Sequence, residues 1–92
     1  MTWREDEYIR MLADAREDFA WVMERCGGRT PEQAVADALA AYPFEPSDVP
    51  HRGLVFHDDA WHWAMVAIHG YLYWREHPEL ERPSAEYLER RG

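Results

Sequence analysis

The sequence predicts an all-α domain, and three observations carry that prediction. Apolar residues recur at alternating spacings of three and four over long stretches. Capping and stop signals stand where those stretches begin and end. The one segment with extended character, Leu54-Val55-Phe56, is too short to found a sheet. The expected architecture is a compact four-helix domain, two helices long and two short. A Pro-rich loop joins helices 2 and 3, and residues 1–92 form one domain.

The first helix runs from about Trp3 to Cys26. Tyr8, Leu12, Ala15, Phe19, Val22 and Cys26 form one apolar stripe, which Met11 and Met23 widen. Gly27-Gly28 ends it, because glycine takes the left-handed position past a helix end. Cys26 is expected to be a buried structural cysteine: the negative end of the helix dipole opposes its thiolate.

Thr30-Pro31-Glu32-Gln33 restarts the chain as a helix. Thr30 suits the N-cap, Pro31 the first helical position, and Gln33 closes a capping box. This second helix, to about Tyr42, is expected to turn Val35, Ala38, Leu39 and Tyr42 to one side as its packing face, with Ala34 and Ala41 flanking that face so that another helix could approach closely there. Pro43, Pro46, Pro50 and Gly53 then exclude regular helix as far as His57, with Phe44 and Phe56 pinning the loop. Asp58 or Asp59 opens a long third helix that ends before Pro78, apolar nearly all the way round and so expected to be central. A short fourth helix over Ser84–Arg91 packs Tyr87 and Leu88, with Glu86 and Arg90 paired one turn apart.

Composition excludes several functions. The net charge is −8, and all ten basic residues are Arg. Without Lys there is no Schiff base and no phosphate-binding P-loop, and the acidity disfavours direct nucleic-acid binding. No signal-peptide core or membrane-length apolar run is present, so a soluble, cytoplasmic protein is expected. A single cysteine fits a reducing compartment. The serines sit in no nucleophile turn, which argues against an enzyme.

Two candidate sites remain. Asp58 and His62 are four residues apart, with His57 alongside and His51 on the loop. That donor set suits zinc, nickel or iron, although its spacing matches no strong metal motif. Trp3 and Trp21 lie eighteen residues apart, five helical turns, and so project together from a charged face of the first helix. Tryptophan on such a face is either covered by another part of the chain or offered to a partner. The function expected is therefore a non-catalytic protein-interaction or regulatory module with a protein partner, most simply a homodimer through Trp3 and Trp21. The alternative is a metal-binding protein using His51, His57, Asp58 and His62.

Overall fold

A computed structural model describes residues 3–91. Among them the order is α1 (Glu5–Gly27), α2 (Pro31–Ala41), a 3-10 turn (Leu54–His57), α3 (Ala60–His69), α4 (Tyr73–Glu76), a second 3-10 turn (Pro78–Glu81) and α5 (Ala85–Arg91). The described residues contain no strand, and four of the helices have seven residues or more. The all-α class therefore holds, with one correction to the lengths: α3 is not a long helix.

The third helix breaks at Gly70, which adopts φ 98° and ψ 167°. A residue with a Cβ is strained there, so glycine sets the break. Leu72 follows at φ 68°, and the helix resumes at Tyr73 for a single turn. Apolar periodicity continues across the break, which is why the sequence reads as one helix.

The caps sit where the sequence places them. Thr30 Oγ1 accepts from the Gln33 amide at 3.1 Å, and Gln33 Oε1 accepts from the Thr30 amide at 3.0 Å. Asp59, rather than Asp58, caps α3, accepting from the Trp61 amide at 2.9 Å. Gly28 ends α1 in the left-handed region.

Helices α1 and α2 form a hairpin to whose seam α2 contributes small residues. Ala34 and Ala38 are fully covered, and Tyr42 closes the end of the seam against Phe19 at 5.8 Å. Val35 and Leu39, expected inside, face outward instead. The alanines allow a closer helix–helix approach than valine and leucine would, and a helix can turn only one such face to its neighbour. From α1 the core takes Tyr8, Leu12, Phe19, Val22 and Met23; from α3 it takes Ala60, Trp61, Ala64 and Met65.

Three further expectations fail, at the end of α1 and within α5. Cys26 is exposed, because the stripe is last covered at Met23, one turn before the hairpin reverses. Leu88 is exposed as well, leaving Tyr87 as the buried residue of α5. Glu86 and Arg90 do not pair with each other. Each reaches across to α1, Glu86 to Arg25 at 2.5 Å and Arg90 to Asp18 at 2.5 Å. No helix among the described residues is long and apolar enough to cross a membrane.

The loop between α2 and α3 is fixed by polar tips. The Tyr8 hydroxyl accepts from the Glu45 amide at 2.8 Å, and Glu45 Oε1 accepts from the Gly53 amide at 3.1 Å. Arg52 is 8% exposed, with its guanidinium 4.2 Å from the Tyr8 ring centroid. It donates to Glu5 Oε1 at 2.8 Å, to the Trp3 carbonyl at 3.3 Å and to the Glu45 carbonyl at 3.4 Å. Phe56 stacks on Tyr42 at 6.1 Å, as a pinning aromatic should, whereas Phe44 only edges against Tyr8 and stays half-exposed.

Candidate functional site

The most distinctive apolar surface follows from the alanine seam. With Ala34 and Ala38 turned to α1, the adjacent face of α2 carries Val35 and Leu39 outward, 55% and 49% exposed. Across from them α1 presents Ala20 and Trp21. Between the two helices lies a groove of about 410 Å³. Its rim carries Arg16 and Arg90 together with Glu17 and Glu24, two charges of each sign.

Trp21 forms the far wall. Its ring is tilted against Tyr87 at 6.0 Å, and the guanidinium groups of Arg90 and Arg25 stand 5.2 and 5.8 Å from its centroid. Helix α5 therefore covers Trp21 in part and leaves the rest of the indole to the groove. The arginine positions are themselves fixed. Arg25 and Glu86 are joined by two hydrogen bonds of 2.7 and 2.5 Å, which raise the arginine's pKa and lower that of the carboxyl. The Arg16 Nε donates to the Tyr42 carbonyl at 2.9 Å, capping the end of α2.

Trp3 does not share this face. It lies ahead of the first residue of α1, where helical periodicity does not apply, and packs edge-on to Phe56 at 5.7 Å. It also crosses Gly53, whose φ is 84°; a Cβ there would come within 2.5 Å of the indole nitrogen. Of the two tryptophans, only Trp21 lines the groove.

The histidines and Asp58 are spread over three environments. His51 and His57 line a hollow with Trp3, while Asp58 lines another beside Asp14, Asp18 and Tyr42. His62 is turned to α4, with its Nδ1 3.2 Å from the Tyr73 hydroxyl and its ring 4.8 Å from Trp63. Among the described residues no group of three or more His, Cys, Asp or Glu is placed to hold a metal ion. The rings of His69 and His77 lie against each other, tilted by 42° with centroids 4.6 Å apart. At Cys26, local desolvation and the Glu86 carboxylate push the thiol up, with Arg25 opposing.

The groove's lining contains no nucleophilic side chain, and its chemistry is apolar contact framed by opposite charges. Sequence reasoning found Trp21 but missed Val35 and Leu39. The signal was present in the Ala34–Ala38 spacing, which marks a close-approach face and so assigns the larger residues to the outside.

The chain gives no significant match to protein-family models, to curated proteins or to solved structures.

Proposed function

We propose that this protein is a small, soluble, cytoplasmic interaction module that pairs with a second copy of itself through the groove beside Trp21. The observation that carries the reading is the outward Val35–Leu39 pair facing Trp21. An aromatic anchor inside an apolar patch, with a charged rim, is the composition of an interface core. A second copy is favoured as occupant by the rim. Arg90 is paired within the chain to Asp18 and Glu17, and the other two rim charges, Arg16 and Glu24, are of opposite sign, so a two-fold partner can set each against its opposite.

Sedimentation of the wild-type chain tests the reading. A monomer–dimer equilibrium is expected, with a Kd of about 10 μM, the strength of a modest interface. Leu39→Glu weakens it at least about tenfold, because a carboxylate buried without a partner is strongly disfavoured. Leu39 is outward, so the variant keeps the wild-type helicity and melt at low concentration. Trp21→Ala is the poorer probe, because it also unseats Tyr87 and Arg90. A chain that stays monomeric at about 300 μM, or a Leu39→Glu variant that dimerises as the wild type does, overturns the proposal.

A further inference from the structure

A second hollow, of about 260 Å³, forms where the segment entering α1 crosses the first 3-10 turn. Trp3, Met11, Leu54 and Phe56 make its apolar walls, and the polar side chains that line it belong to His51, Arg52 and His57. The chain carries 18 carboxylates in 92 residues, yet none of them lines this hollow. Two other surface hollows are each lined by Asp14 and Asp18, so the contrast is local.

The polar groups are of two kinds. Arg52 is held by Glu5 and by backbone carbonyls, so its donors are already engaged and it serves as a fixed part of the wall. The side chains of His51 and His57 are exposed and make no hydrogen bond, ion pair or ring contact with the described residues. His51 also holds φ 60°, a left-handed conformation that a side chain with a Cβ adopts at a cost. Apolar walls with a few convergent donors are the usual construction of a small-molecule site. The volume falls below the range of drug-sized pockets, which limits the ligand to about one ring.

We propose that this hollow binds a small arylalkanoate, with the ring between Trp3, Met11 and Leu54 and the carboxylate on the His51 and His57 N–H groups. The site is separate from the Trp21 groove and does not depend on dimerisation. Its test is titration of the full chain with phenylacetate, followed by NMR at the Trp3 indole N–H and the Gly53 amide.

Both signals are expected to shift with a Kd of about 1 mM, the scale of a fragment that size. Phenylacetamide, alike in shape but uncharged, binds at least about fivefold more weakly. A His51→Gln, His57→Gln double variant loses affinity to a similar extent, with its remaining spectrum unchanged, since both side chains are exposed. Signals unmoved by about 20 mM phenylacetate, equal binding of acid and amide, or a double variant that binds as the wild type does would each refute the site.

Discussion

The hairpin of α1 and α2 and the half of the chain that follows it are stabilised by different means. The hairpin is a backbone structure: two capped helices meet along small residues of α2, and its side-chain hydrogen bonds sit mainly at its ends. Residues 43–91 contain only short helices, and their irregular segments are fastened by the polar tips of large side chains. The Tyr8 hydroxyl holds Glu45, the Trp63 indole N–H donates to the Val55 carbonyl at 3.0 Å, and Trp61 donates to the Leu80 carbonyl at 2.8 Å. The Tyr87 hydroxyl donates to Asp59 at 2.6 Å, the same carboxylate that caps α3. In a domain of this size the aromatic residues thus fill the core and also satisfy loop backbone that has no ladder partner.

This difference is sharpest at α5. Tyr87 is fully buried between Trp21 and Trp61, and Tyr87→Ala should cost about 4 kcal/mol by urea denaturation, the scale of a large aromatic truncation. A cost below about 1 kcal/mol would make α5 an appendage and erase the distinction between the halves. Arg52→Met tests the loop in the same way. It removes the donor to Glu5 and to two carbonyls, and a loss of about 2 kcal/mol is expected. Hydrogen exchange at the Gly53 amide should accelerate in that variant while α2 amides keep their protection. In the hairpin, Thr30→Ala should cost only about 1 kcal/mol, because the cap is one of several supports for α2. A calorimetric melt separates that outcome from a collapse of α2.

The smallest effect concerns pH. Burial, reinforced by Asp59, Asp18 and Asp58, pushes the Tyr42 phenol well above its ordinary value. Its folded pKa is raised, so its contribution to stability is complete below the unfolded value of about 10 and is lost as pH rises beyond it. The melting temperature should therefore fall on the alkaline side, and Tyr42→Phe should make that fall shallower. Tyr73, raised by the same cause, keeps some of the slope in place.

The hairpin was legible in the sequence because its determinants are local. Thr30, Pro31, Gln33 and the Gly27-Gly28 pair act on backbone within a turn of themselves. The second half was less legible because its determinants are pairings between distant residues. Nothing adjacent to Arg52 announces Glu5 or Tyr8 as its neighbours, and nothing near Gly70 distinguishes a tolerated helical glycine from a break. At the candidate groove, periodicity located Trp21 but assigned α2 the wrong face, because hydrophobicity was weighed above residue size. Trp3 was misplaced for a simpler reason: an eighteen-residue spacing means nothing once one member lies outside the helix.

The fastening of the loop has a practical consequence for engineering. Glu45 and Arg52 are tied to α1 and to each other, so the chain from Pro46 to His51 leaves and returns at one anchored stem. Within it, the Val49 amide donates to the Pro46 carbonyl at 3.0 Å, and Ser47 and Asp48 stand exposed at the apex. Lengthening such a tip adds little closure entropy. An epitope or a second domain spliced between Ser47 and Asp48 would ride on the protein as a graft, leaving the groove and the helical core unaltered.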